Sequence, residues 1–348
     1  MSSHEQYIHR CLQLAALGAG NVAPNPMVGA VLVYENEIIG EGYHQKFGEA
    51  HAEVNCINSV VEKNKPLIKK STIYVSLEPC SHHGKTPPCT DLILDKEIKK
   101  VVIGCQDIYE KVAGKGIEKL RKSGAEVVLG VLEKECLELN KRFFIFHQKK
   151  RPYIILKWAQ SANGKIGAKG KERILISNDY TNRIVHKWRS EEAAILVGTN
   201  TIFKDDPSLT TRLWKGKDPV RIGIDKELKL DPKSKILNHE VPTIIYNCLK
   251  NYADKNLNFI KLDSDNFLMQ MLHSLYENNI QSVIVEGGTK TLQSFIDKGL
   301  WDEARIITNN QITIDDGIDA PEMKNFLFLN QERYLNDSIL FYKNKSEF

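Results

Sequence analysis

Two α/β domains joined near the middle of the chain are what this sequence predicts, on three observations. A chain of 348 residues is too long for one small core and long enough for two substantial ones. Short β-branched runs alternate with helical patterns along most of its length, which implies layered sheets with helices packed on them. A basic stretch, "KKRP" at 149–152, interrupts the alternation and reads as a linker, so one domain is expected over 1–148 and another over 149–348. No internal repeat relates the halves and no segment is of low complexity, so the domains are not duplicated copies.

Taken in order, Tyr7, Ile8, Cys11, Leu12, Ala15 and Ala16 recur at helical spacing from Ser3 to about Leu17, and Gly18 and Gly20 end the run. "MVGAVLVYENEIIGEGYH" gives two strands around a polar "EN" turn, and "STIYVSLEPC" and "VVIGCQD" give two more. One helix, "EKECLELNKRFFIFHQ", closes the first domain. In the second, strands are expected at "YIILKWA", "AAILVGT", "VRIGID", "TIIYN", "NFIKL", "SVIVEGG" and "ARIIT", with helices near 178–191, 265–278 and 290–298. The tail after about Ile318 carries "FLFLNQERYLNDSILFYKN", which finishes the second sheet.

The totals narrow the class of function. A composition of 42% hydrophobic and 26% charged residues is that of a soluble globular protein. Its formal net charge of +4 is too small an excess to argue for nucleic acid, and it suits small anionic substrates such as phosphate esters. Seven cysteines, an odd number scattered along the chain, read as thiols in a reducing compartment and not as a disulfide framework. The amino terminus lacks the pattern of a signal peptide and no eighteen apolar residues follow one another, so the expectation is a cytoplasmic protein without a membrane partner.

Chemistry concentrates in "HAEVNCI", from His51, and "PCSHHGKTPPC", from Pro79. A catalytic zinc keeps three nitrogen or sulfur ligands and leaves a fourth position for water. His51, Cys80 and Cys89 supply three. Glu53, two residues after His51, stands where a non-ligating carboxylate can carry a proton from an activated water to a ring nitrogen and on to departing ammonia. Singly these residues mean little: a lone histidine is more often structural and a lone glutamate a solvated face. Jointly, the His-x-Glu and Pro-Cys pairings are the signature of zinc nucleobase deaminases. His82 and His83 are competing ligands, disfavoured because a fourth protein ligand would close the position that water needs. That signature has two residues between its cysteines, whereas "SHHGKTPP" stands here, a loop whose Lys85 and histidines can meet an anion.

"NPMVGAVLV", "GEGYH", "HAEV", "YVSLEPCSHHGKTPPC" and "QDIYEKVAGKG" together resemble the deaminase half of the bifunctional deaminase/reductase family of riboflavin biosynthesis. The resemblance extends through about residue 310. It implies a cytidine-deaminase-like layered α/β domain followed by a dihydrofolate-reductase-like α/β domain. It also implies that Asn25, His44 and Lys85 line the deaminase pocket, with Asp107 near it.

No G-x-G-x-x-G follows a strand in the second half, so a Rossmann domain is not supported. "VIVEGGTKTL" offers another phosphate cradle: a strand, then Gly287 and Gly288 allowing close backbone approach, then Thr289 opening a helix. "LVGTNTIFKDDPSLTTR" resembles the reductase half of the same family, and "LKWAQSANGKIG" is similar to its Ser-Leu-Asp-Gly-Lys/Arg stretch. By that resemblance Ala159, Thr201, Asp205 and Gly287, Gly288 and Thr289 touch NADPH, while Arg189, Leu209, Arg212 and Glu286 touch substrate. The chain departs from the family at Asn163, Ala162, Arg173 and Leu175.

What the family implies is a two-step enzyme with one Zn²⁺ in its deaminase domain and NADPH in the other. The first step is hydrolytic deamination of 2,5-diamino-6-(5-phosphoribosylamino)pyrimidin-4-one, and the second reduces the ribosyl group to ribityl. Edges of reductase-like sheets often pair, so a homodimer through that domain is a further expectation. Two rivals are weighed: a nucleic-acid deaminase, opposed by the lack of a basic, aromatic stripe, and a zinc-stabilised binding module, which requires a fourth protein ligand.

Overall fold

The computed structural model describes residues 2–82, 87–108, 113–170 and 174–345. The chain divides into two compact units, Met1–Lys150 and Arg151–Phe348.

The first unit runs α1 (Ser3–Ala16), β1 (Gly29–Tyr34), β2 (Glu37–Tyr43), α2 (Ala52–Asn58), β3 (Thr72–Leu77), α3 (Cys89–Asp95), β4 (Lys100–Cys105), α4 (Lys115–Lys122), β5 (Glu126–Leu129), α5 (Glu133–Leu139) and α6 (Lys141–Lys149). Its sheet has the order β2-β1-β3-β4-β5. β1 pairs antiparallel with β2 and β3, and β4 lies parallel to β3 and β5. Because strand side chains alternate between faces, Ala30, Leu32, Ile73, Val75, Val101 and Ile103 meet α2, α3 and α4 on one side. Val31, Val33, Tyr74 and Val102 meet α1, α5 and α6 on the other. The sheet is therefore buried on both faces, and functional groups are left to the strand ends.

Local chemistry sets the boundaries. Ser2 accepts from the Glu5 amide while Glu5 reaches back to the Ser2 amide, a capping box that starts α1. Glu35 and Asn36 both take positive φ in the β1–β2 turn, as a right-twisted two-residue hairpin demands. The single helix expected over 133–148 is two. At Asn140 the backbone leaves helical geometry and its side chain pairs with Met27, accepting from the amide at 2.8 Å and donating to the carbonyl at 2.8 Å. Within the basic stretch, Arg151 is buried in a two-pronged ion pair with Asp302 at 2.7 and 2.8 Å.

The second unit comprises β6 (Tyr153–Ser161), β7 (Lys165–Ala168), α7 (Asp179–Glu191), β8 (Ala194–Gly198), α8 (Thr199–Asp205), β9 (Val220–Ile224), β10 (Thr243–Asn247), β11 (Tyr252–Asp254), β12 (Leu257–Lys261), α9 (Phe267–Glu277), β13 (Ser282–Val285), α10 (Thr289–Asp297), β14 (Glu303–Asn309), β15 (Gly317–Asp319), β16 (Phe326–Tyr334) and β17 (Asp337–Asn344). Ten strands form one sheet in the order β11-β12-β10-β9-β8-β13-β6-β14-β17-β16. From β12 to β14 neighbours are parallel, and the tail closes the far edge as the β16–β17 hairpin. With β8, β13 and β6 side by side and parallel, their carboxyl ends open on one side of the sheet, where ligands of open α/β sheets bind.

Candidate active sites

In the first unit the end of β3 leads into Cys80, and Cys89 opens α3 nine residues on. The Cys89 amide donates to Cys80 Sγ at 3.3 Å and the Thr90 amide to the Cys80 carbonyl at 3.1 Å, so the loop folds its two sulfurs together. His51 is the extended residue before α2, and its Nδ1 lies 3.6 Å from Cys80 Sγ and 3.4 Å from Cys89 Sγ. Among the described residues these three form the one group of side chains able to hold a metal. The Cys89 thiol and then the His51 ring draw the Cys80 thiol down to about 4, while Cys80 and burial push the Cys89 thiol up.

A zinc ion bonded at about 2.3 Å to sulfur and 2.0–2.1 Å to nitrogen, with tetrahedral angles, places nitrogen and sulfur about 3.6 Å apart. The observed separations match, so the donor set fits zinc by type and by spacing. Glu53, in the first turn of α2, is 3% exposed. Burial, then the Cys80 charge, push its carboxyl up, favouring a group that can hold a proton.

Beside this trio, His44 Nδ1 meets the Ala50 carbonyl at 3.1 Å. A carbonyl only accepts, so that nitrogen carries the proton; burial depresses the ring's affinity for a second. His44 Nε2 then accepts from Asn25 Nδ2 at 3.1 Å, which leaves Asn25 Oδ1 as an acceptor. The His44 and His51 rings stand edge to face, with centroids 5.3 Å apart. Asp107 is buried two residues past the end of β4, the strand that pairs with β3. Lys85 and His83 lie outside the described residues, and His82 is not among the converging donors.

In the second unit a cavity of about 1290 Å³ opens at the carboxyl ends of β6, β8 and β13. All ten residues expected there line it: Ala159, Arg189, Thr201, Asp205, Leu209, Arg212, Glu286, Gly287, Gly288 and Thr289. Gly287 has φ +128°, which side-chain-bearing residues rarely adopt, and its carbonyl accepts from the Gly198 amide at 2.9 Å. A Cβ on Gly288 would stand 3.2 Å from Thr201 Oγ1. α10 starts there, and Thr289, Lys290 and Thr291 of its first turn line the cavity, a helix start that suits the pyrophosphate of a dinucleotide.

Glu286 follows directly. Arg189 grips it through Nε and Nη2 at 2.7 and 2.8 Å, and Lys157 Nζ approaches at 3.4 Å. Burial acts to raise the Glu286 carboxyl, but the Arg189 and Lys157 charges overcome it and hold the group at about 2. Burial depresses Lys157 against the pull of Glu286. Arg212 is exposed at the rim and bonds Thr210 Oγ1 at 3.4 Å.

The family models agree with this division. Residues 1–105 match the cytidine and deoxycytidylate deaminase zinc-binding region, and residues 152–312 match the RibD C-terminal domain. The riboflavin biosynthesis protein RibD of Aquifex aeolicus is 43% identical over 305 residues, covering 86% of this chain and 84% of that protein. The chain belongs to the RibD family. RibD of Escherichia coli is 34% identical over 318 residues, 86% of this chain and 85% of its own. The crystal structure of the deaminase/reductase from Thermotoga maritima superposes with a TM-score of 0.90 at 36% identity, covering 98% of this chain and 99% of that one. As a RibD-family protein the chain is a bifunctional deaminase/reductase of riboflavin biosynthesis that uses zinc and NADPH, with a cytidine-deaminase-like and a dihydrofolate-reductase-like fold.

Sequence reading missed Lys157. Its one signal was a lone cation inside the apolar run "YIILKWAQ". Of the departures from the RibD pattern, Asn163 turns away from the cavity: its Oδ1 accepts from Ser161 Oγ at 2.7 Å and the Ile314 amide at 3.1 Å, and its Nδ2 donates to the Ile314 carbonyl at 3.0 Å. Asn163 and Ala162 are absent from the cavity lining, whereas Leu175 is part of it. Arg173 lies outside the described residues.

Proposed function

We propose that the first site deaminates 2,5-diamino-6-(5-phosphoribosylamino)pyrimidin-4-one through His51, Cys80 and Cys89 as zinc ligands and Glu53 as proton carrier. The convergence of one imidazole nitrogen and two sulfurs beside a buried carboxylate carries this reading. When bound, zinc supplies the Lewis acidity that makes water nucleophilic near neutrality. Glu53 takes the proton that water gives up, passes it to the ring nitrogen beside the attacked carbon, and delivers a second to the leaving amine. Asn25, with its amide nitrogen committed to His44, presents Oδ1 to an amino group of the pyrimidine. Lys85 and Asp107 complete the pocket in this assignment.

In the second site NADPH, when bound, supplies the hydride that reduces the opened ribosyl carbon. We assign the Gly287–Thr289 turn, Ala159, Thr201 and Asp205 to holding the cofactor, and Arg189, Leu209, Arg212 and Glu286 to holding the phosphoribosyl substrate. Glu286 fixes the Arg189 fork and draws Lys157 Nζ to the same point. From there Lys157 gives a proton to the substrate heteroatom left electron-rich by reduction. The assay is ammonia release from the diaminopyrimidine, followed by NADPH oxidation with the deaminated product. Ammonia release confined to a nucleic-acid polymer, or no oxidation with the product, contradicts the assignment.

The substrate class is a small molecule, and no helix among the described residues is long and apolar enough to cross a membrane. Free cysteines at all seven positions support a cytoplasmic setting, and the near-neutral charge supports a protein that does not bind nucleic acid. A homodimer is supported by β16, the last strand of its sheet, where Phe326, Leu327, Phe328 and Leu329 are exposed. An apolar, unpaired edge of this kind is a template for a second copy. Phe328→Lys is expected to lower the molecular mass measured by sedimentation to that of one chain.

A further inference from the structure

Glu78, between β3 and Cys80, is buried at 4% exposure and has no cation within ion-pair reach among the described residues. Four backbone amides share its two oxygens. Oε2 accepts from Asp107 at 3.1 Å and Gly114 at 3.0 Å, and Oε1 from Gly116 at 2.9 Å and Ile117 at 3.2 Å. Gly116 packs so closely that a Cβ there would run into the Pro79 carbonyl, so α4 docks directly on the segment that leads to Cys80. A carboxylate is the group for this task, because it offers two acceptor oxygens with lone pairs enough for four amides and no donor to clash with them.

We propose that Glu78 is a positioning residue for deamination: it ties both ends of the segment that begins at Asp107 to the strand end that carries Cys80, and so sets Asp107 at a fixed distance from the metal site. The proposal rests on the reading of Asp107 as a pocket residue. The Asp107 amide, two residues past the end of β4, is directed to Glu78.

Glu78→Gln keeps shape and volume but turns one acceptor into a donor facing two amides, and Glu78→Asp keeps the charge but draws it back by one methylene. Both go into the full-length zinc-loaded enzyme, alone and with Asp107→Asn. The expected result for Glu78→Gln is a rise in deaminase KM of about tenfold to a hundredfold, with zinc stoichiometry and reductase turnover unchanged and faster exchange of the Asp107 and Gly114 amides. Glu78→Asp follows in the same direction. Because Glu78 acts through Asp107, the double variant is expected to be no worse than Asp107→Asn alone. Multiplying effects in the double variant, an unchanged KM, or zinc loss in both Glu78 variants overturns the proposal. A KM that ignores Asp107→Asn instead removes the assignment of Asp107, whatever Glu78 does.

Discussion

The two sites of this chain are built in opposite ways. In the deaminase unit the proposed chemistry resides in side chains brought in by two segments, His51 just before α2 and Glu53 in its first turn, Cys80 between β3 and α3 and Cys89 at the start of α3. In the reductase unit much of the proposed chemistry resides in backbone and in a largely buried charge cluster: the Gly287–Gly288 turn, the start of α10, and Lys157, Arg189 and Glu286 drawn from β6, α7 and the end of β13. The difference teaches where each site is fragile. A metal centre fails when one ligand or its proton carrier changes, whereas a cofactor cleft tolerates single losses at its lining and fails at the charges and glycines that cannot be replaced.

The sharpest break in that comparison is Glu53→Gln. Loss of general acid–base catalysis lowers ammonia release by about 10²–10⁴-fold, while bound zinc and NADPH oxidation stay at wild-type levels. A smaller loss would make the carboxylate a bystander. Next comes Glu286→Gln, which takes the counter-charge from the largely buried Arg189 and Lys157; the cost is up to about 3–5 kcal/mol. It is read as a lower melting temperature with reductase activity lost and ammonia release kept. The same group gives a pH dependence. Its folded value, about 2, lies below the ordinary 4.5, so its stabilisation is present above the ordinary carboxylate range and is lost as pH falls toward 2. Unfolding measured from pH 5 down to 2 checks the sign. Smallest is Gly287→Ala: a side chain at φ +128° costs about 1–3 kcal/mol of strain, expected as a raised KM for NADPH with deamination untouched.

The unequal construction also explains what could be read in advance. Zinc chemistry is specified by residue type, so His51, Glu53, Cys80 and Cys89 stood out in the chain, and strands and helices followed from periodicity in both halves. Lys157 did not, because the role proposed for it arises from its placement beside Glu286, which is 129 positions away. The break between α5 and α6 was equally hidden: Asn140 leaves the helix to pair with Met27, 113 positions earlier. Glu78 reads as an ordinary polar residue after a strand until the fold brings four amides to it. Groups whose role is their own chemistry are legible, and groups whose role is made by distant partners are not.

X-ray absorption at the zinc edge of the metal-loaded protein tests the central claim most directly. The account predicts two sulfur scatterers at about 2.3 Å, one imidazole nitrogen at about 2.0–2.1 Å and one light atom from solvent. A shell filled by four protein ligands, or one sulfur in place of two, would contradict it.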